Sequence, residues 1–172
     1  MNATKSSSSA QVYVSTYSTY NGGSLKGLWI DLTDFVDCED FFKHLSKLNK
    51  TIWKEADPEF MFQDYECFPS TYYWEGGMKE EIFQFIHEVD DNEKDEFTEF
   101  LENWEYDSFD EQLEQFNSRK TGYEKFDDMA YDYACATFSK EFIDSGYFDF
   151  KQYEKELQWD YTKIGEMIYS NQ

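Results

Sequence analysis

Hydrophobic spacing changes character twice along the chain. Between Gln11 and Tyr20, Val12, Val14 and Thr16 alternate with Tyr13, Ser15 and Tyr17, a period of two that predicts a strand. Asn21-Gly22-Gly23 reads as a turn into a second strand, Leu25–Leu32, with Leu28, Ile30 and Leu32 on one face. Phe41, Phe42, Leu45 and Leu48 then recur at helical spacing, predicting a helix over Glu39–Leu48 with Asp37 or Thr33 placed to cap it. Asp57-Pro58 breaks the chain. Alternation resumes over Phe60–Phe68, with Phe60, Phe62 and Asp64 set against Met61, Gln63 and Tyr65, and Pro69 closes it. Residues 11–70 thus predict a small antiparallel sheet with one helix packed on it.

From about Tyr72 the period is helical. Ile82, Phe83, Phe85, Ile86 and Val89 form one stripe over Met78–Val89, and Phe97, Phe100, Leu101 and Trp104 form another over Glu93–Glu105. Asp107–Phe116 repeats the design with Phe109, Leu113 and Phe116 inward, so residues 71–118 predict an acidic helical domain. Such short helices hold only when their apolar stripes pack together. A loop over Asn117–Gly122 leads to a third α/β domain, residues 119–172. Its elements are a helix marked by Phe126, Met129, Ala130, Tyr133 and Ala134, a helix capped by Asp149 and running through Leu157, and a strand over Trp159–Ile164. The expected class is α+β, in three small domains. The Ser-rich residues 1–10 have no apolar core of a secretory signal and read as a flexible tail.

Composition sharpens this picture. The 172 residues include 37 Asp+Glu against 15 Lys+Arg, a net charge of −22. Charge at that density favours disorder, yet Phe, Tyr and Trp make up 21% of the chain. Each ring can bury on the order of 150–250 Å², so the chain has the means to form a core beneath an anionic surface. The charge is also one-sided: residues 1–50 balance five lysines against five acids, leaving the whole excess in residues 51–172. Such a body repels nucleic acid and membrane surfaces and attracts basic grooves. No run approaches the ~20 apolar residues of a membrane span. Cys38, Cys67 and Cys135 are an odd, widely spaced set without CxxC, which suits reduced, buried structural thiols in a cytoplasm.

Catalytic patterns are missing. His44 and His87 both fall on predicted helices, and no HExxH, GxSxG, Walker or GxGxxG motif occurs. The acidic run Asp90–Glu96 lacks the glycine and the ligand alternation of a calcium loop. Carboxylate pairs at hydrolase spacing are guaranteed by abundance alone and identify nothing. No enzyme activity, cofactor or metal is expected. What the chain does show is like charge at close helical spacing: Glu93/Glu96, Glu96/Glu99, Glu99/Glu102 and Asp95/Glu99. Each pair destabilises a helix by roughly 0.2–0.5 kcal/mol, and solubility would be served by a mixed surface. The one-sidedness implies a partner that needs it. Duplex DNA carries one charge per ~1.7 Å of axis, so the excess matches about 11 base pairs.

Three blocks give this charge a context. Val12-Tyr13-Val14, Tyr20-Asn21-x-Gly23-Ser24 and Gly27-x-Trp29-x-Asp31-Leu32-Thr33 resemble the opening of the ArdA antirestriction family. Glu59-x-Met61-Phe62-Gln63-Asp64-Tyr65-Glu66-x-Phe68-Pro69 is similar to its most recognisable stretch, with Cys67 where the family often has glycine. Tyr147-Phe148-Asp149-Phe150-x-x-Tyr153-x-x-Glu156-Leu157 resembles the family's antirestriction motif, with Lys151 a cation inside it. The resemblance implies an elongated homodimer of three small domains per chain that mimics bent B-form DNA. It also implies binding to the methyltransferase core of type I restriction-modification enzymes, and a dimer contact that includes Tyr147, Phe148, Asp149, Phe150, Tyr153, Glu156 and Leu157. The carboxylates expected to stand for phosphates are Glu80, Glu81, Glu88, Glu93, Glu96, Glu99, Glu102, Asp107, Asp110, Glu111 and Glu114. The competing expectation is a general acidic adaptor for basic proteins, without duplex geometry.

Overall fold

A computed structural model describes residues 9–172, and the expected flexible tail falls mostly on residues 1–8, outside them. The chain divides into two compact units, the first running to Lys94 and the second comprising Asp95–Gln172. Both mix helices with small antiparallel sheets, as the α+β expectation holds.

The first unit is built on a three-stranded antiparallel sheet of β1 (Gln11–Thr16), β2 (Leu28–Asp31) and β3 (Phe60–Glu66) in the order β2-β1-β3. Ser9 and Ala10 already belong to it: Ser9 Oγ donates to Asp31 at 2.5 Å and the Ala10 carbonyl accepts from Leu32 N–H at 2.8 Å. The first strand stops at Thr16, short of the expected Tyr20. Thr16 Oγ1 accepts from Thr19 N–H and donates to Glu55, so it caps a short helix, α1 (Tyr17–Asn21), that replaces the second half of the strand. Gly22 and Gly23 therefore end a helix instead of turning a hairpin, and β2 starts only at Leu28.

The ArdA-like opening block acquires a physical meaning here. A Cβ on Gly27 would lie 2.6 Å from both the Tyr13 ring and the Val14 carbonyl, so only glycine lets β1 approach. Asp31 accepts from the amide and hydroxyl of Thr33 and from Ser9. Partial burial would push its pKa up, but these hydrogen bonds outweigh burial and hold it below the ordinary 3.8.

Helix α2 (Cys38–Asn49) is capped by Asp37, whose carboxylate accepts from Asp40 N–H at 2.7 Å. Its Phe41 and Leu45 are buried with Val12, Val14, Leu32 and Phe62. In β3 the expected alternation fails. The register steps from Tyr13↔Asp64 to Val14↔Phe62, leaving Gln63 as an extra residue, so Met61 and Phe62 are buried in succession. Cys67 follows the strand at φ 62°, in the left-handed region that favours glycine. Helix α3 (Glu80–Glu88) buries Ile82, Phe83, Phe85 and Ile86, and Phe83 meets Phe41 at 6.2 Å between ring centroids.

The second unit holds α4 (Lys94–Asn103), α5 (Phe109–Ser118), α6 (Phe126–Thr137), α7 (Lys140–Ile143), α8 (Phe150–Asp160), and a hairpin of β4 (Tyr161–Ile164) and β5 (Met167–Ser170). Trp159, expected to open a strand, lies in the last turn of α8, and β5 and α7 were not foreseen. Nor is Asn117–Gly122 a free loop: α5 runs to Ser118, and Lys120 bridges to Tyr169 beside the hairpin. One core gathers Phe97, Phe100, Phe109, Phe116 and Tyr169, with Phe97–Phe116 at 5.0 Å and Phe116–Tyr169 at 5.7 Å. Another joins Met129 and Ala130 of α6 to Leu157 and Ile168.

Two substitutions test the backbone arguments. Gly27→Ala should destabilise the protein by about 1–3 kcal/mol in urea unfolding, because a backbone carbonyl must give way. Cys67→Gly should stabilise it by about 0.5–1 kcal/mol, the relieved left-handed strain exceeding glycine's added chain entropy.

Candidate partner-binding surface

The acidic stretch contributes α3 to the first unit and α4 and α5 to the second. In α3, Glu80 and Glu81 occupy the first turn, where the helix dipole favours anions, and Glu88 is exposed at the last residue. Glu80 also accepts from the backbone N–H of Cys38 at 3.1 Å, so it serves the start of α2. Burial, and then Glu80 beside it, push the Cys38 thiol up to about 12. That thiol stays protonated and inert. Cys67 and Cys135, expected to be buried structural thiols, are instead exposed; on α6 the buried face is made by Met129, Ala130 and Ala134.

Helix α4 turns Phe97, Phe100 and Leu101 into its core and carries Glu96, Glu99 and Glu102 away from them. Glu93 precedes it, half-buried. Glu96 accepts from the Tyr169 hydroxyl, and Glu99 accepts from the Gly165 N–H at 3.1 Å. Helix α5 starts with a reciprocal cap that the periodicity alone does not disclose. Ser108 Oγ accepts from Glu111 N–H, while the Glu111 carboxylate reaches back to Asp107 N–H at 3.4 Å. Asp107, Asp110, Glu111 and Glu114 are all exposed.

Eight of the eleven expected carboxylates divide evenly by local role. Glu80, Glu96, Glu99 and Glu111 each hold a donor of the fold. Glu88, Glu102, Asp110 and Glu114 are exposed and make no hydrogen bond or ion pair among the described residues. The single arginine offsets little of this charge. Arg119 lies over the rings of Trp104 and Tyr106, at 5.3 and 5.9 Å, and donates to Gln115 and the Ser170 carbonyl.

The C-terminal block is of another character. Asp149 caps α8 by accepting from Gln152 N–H at 3.1 Å, as its position predicts. Leu157 is in the core, and Glu156 is exposed and accepts from Gln152. Phe148 sits among Phe138, Phe142, Phe150 and Tyr153, with centroids 4.7–5.8 Å away. Tyr147 beside it is 88% exposed. Other exposed rings of these helices were missed: Tyr131 at 58%, Phe142 at 44% and Trp159 at 84%. Tyr131 stacks on Phe150 at 5.9 Å, which ties α6 to the block. Only Tyr131 carried a signal, lying outside the apolar stripe of α6; Phe142 stands in a four-residue helix too short for a stripe, and Trp159 in a stretch that alternates like a strand.

Among the described residues no helix is long and apolar enough to cross a membrane, and no group of three His, Cys, Asp or Glu residues is placed to hold a metal ion. The surface offers charge and exposed rings.

If the free carboxylates strain their helices, removing them should stabilise the protein. Glu102→Gln with Glu114→Gln is expected to raise the melting temperature at low salt, by about 0.2–0.5 kcal/mol per relieved like-charge pair. The gain should shrink as salt screens the repulsion.

A family model described as Antirestriction protein (ArdA) matches residues 12–167, nearly the whole chain. No curated protein and no solved structure matches it. The match includes the strand block with its glycine and Asp31 cap, the acidic helices and the aromatic C-terminal block. The chain belongs to the ArdA antirestriction protein family, whose members inhibit restriction-modification enzymes and are not themselves enzymes.

Proposed function

We propose that this antirestriction protein takes the place of duplex DNA in the DNA-binding groove of the methyltransferase core of a type I restriction-modification enzyme. The observation that carries the reading is the set of carboxylates displayed on α3, α4 and α5 by helices whose other faces are locked into aromatic cores. A groove lined to neutralise phosphates responds to the summed field of such an array. The field is shared, so no one carboxylate dominates it.

The protein acts as a homodimer in the bacterial cytoplasm and relieves restriction of an incoming mobile element. The exposed rings of Tyr131, Phe142, Tyr147 and Trp159 support the dimer, because apolar surface of that kind is what a self-complementary contact buries. The three-part division enters as a division of labour, with residues 71–118 displaying charge and residues 119–172 making the dimer.

Competition between this protein and a labelled target duplex for a purified type I methyltransferase core, at two salt concentrations, tests the reading. Displacement near one dimer per enzyme, weakening steeply with salt, is the expected outcome. Single Glu→Gln changes at Glu102 or Glu114 should each cost less than about threefold, whereas neutralising all eleven positions should abolish displacement. Salt-independent competition would count against mimicry. Failure to displace DNA at micromolar protein, with equal binding to unrelated basic proteins, would favour an acidic adaptor.

A further inference from the structure

Two carboxylates of α4 are held by a part of the chain some seventy residues away in sequence. Tyr169 on β5 is fully buried, its ring packed against Phe100, Phe116 and Trp104, and its hydroxyl donates to Glu96. Its backbone is fixed too: the next residue, Ser170, donates to the Arg119 carbonyl at 2.9 Å, and Ile168 accepts from Thr121 N–H at 3.0 Å. At the tip of the hairpin Gly165 has φ 54°, the conformation that a two-residue hairpin turn asks of its first central position. Its N–H donates to Glu99 at 3.1 Å. The Glu96 side chain lies beside it as well, within ordinary van der Waals reach of where a Cβ would stand, so it is the positive φ that asks for glycine.

We infer that the β4–β5 hairpin sets where α4 presents its charge, with Tyr169 and Gly165 as positioning residues for Glu96 and Glu99. The inference rests on the groove-occupying reading. A glutamate side chain has three rotatable bonds, and ordering it against a partner weakens binding. Here one carboxylate oxygen of each residue is fixed by the fold, and the other makes no hydrogen bond among the described residues. The ordering is completed on folding. Glu102, one turn further along, has no such tether and has to be ordered by its partner.

The experiment compares the full-length protein with Tyr169→Phe, Glu96→Gln and the double variant in displacing duplex from the type I methyltransferase core, at two salt concentrations. Circular dichroism and melting are followed alongside. Tyr169→Phe keeps the ring and every charge, so inhibition should weaken by about two- to threefold, no more than for Glu96→Gln, with an unchanged salt dependence. Glu96→Gln keeps an acceptor for Tyr169 and loses only the charge, so it should weaken inhibition and flatten the salt dependence. The double variant should be no weaker than Glu96→Gln alone, since the tether matters only through the charge it holds.

Wild-type inhibition by a folded Tyr169→Phe protein, or additive effects in the double variant, would overturn the inference. Should Tyr169→Phe not fold, Glu96→Gln decides alone: wild-type inhibition would mean that this carboxylate serves only the fold. If the unaltered protein does not displace DNA, the groove reading itself falls, which is distinct from a competent protein whose variants are indifferent.

Discussion

The packing of Phe97, Phe100, Phe116 and Tyr169 is the contact on which the anionic surface of the second unit depends. Helices of ten residues are marginal by themselves, and α4 adds the like-charged pairs Glu96/Glu99, Glu99/Glu102 and Asp95/Glu99, at a cost of about 1 kcal/mol together. Burying a single phenylalanine contributes about 1.5–3 kcal/mol. The rings therefore win by a wide margin, and they let the solvent face carry repelling charge without losing the helix. In the first unit Phe41, Phe62 and Phe83 do the same for α3. The high aromatic content and the high charge are thus two sides of one design.

Much of this was legible in the sequence because a helix with one apolar stripe has few other ways to fold. The stripes of α3, α4, α5 and α6 and the caps Asp37 and Asp149 appear where periodicity and capping chemistry put them. The misses have local causes. Thr16 is as good a helix cap as a strand residue, and the alternation up to Tyr20 contains nothing that reports its bond to Glu55. The bulge at Gln63 breaks a period of two without changing composition. Strand β5 is only four residues long and is held by Arg119, Thr121 and β4, partners remote in sequence.

Legibility of the surface was of a different kind. Spacing alone identified which acids lie off the apolar stripes, and the structure places most of them in solvent. For Glu80, Glu96 and Glu99 it could not say that a backbone N–H or a hydroxyl would claim them, because those donors come from Cys38, Tyr169 and Gly165, more than forty residues distant, whereas the donor to Glu111 is the local Asp107. The exposed aromatic rings were hidden for the opposite reason. Phe, Tyr and Trp are read as core by default, and only the finished packing of α6, α7 and α8 shows which of them the core has no room for.

The small sheet of the first unit is edged by β2 and by β3, whose Phe62 N–H already donates to the Glu75 carbonyl at 2.9 Å, and the way these edges end bears on a hazard unrelated to inhibition. An unpaired strand edge is a template for another chain. Here β2 spans only four residues, and β3 is interrupted by the bulge at Gln63, which twists and shortens its regular pairing register. Neither edge offers a long flat ladder on which a second copy could add. Aggregation by edge-to-edge pairing is thereby discouraged on geometric grounds, independently of charge, and that protection persists at salt concentrations where mutual repulsion between copies has faded.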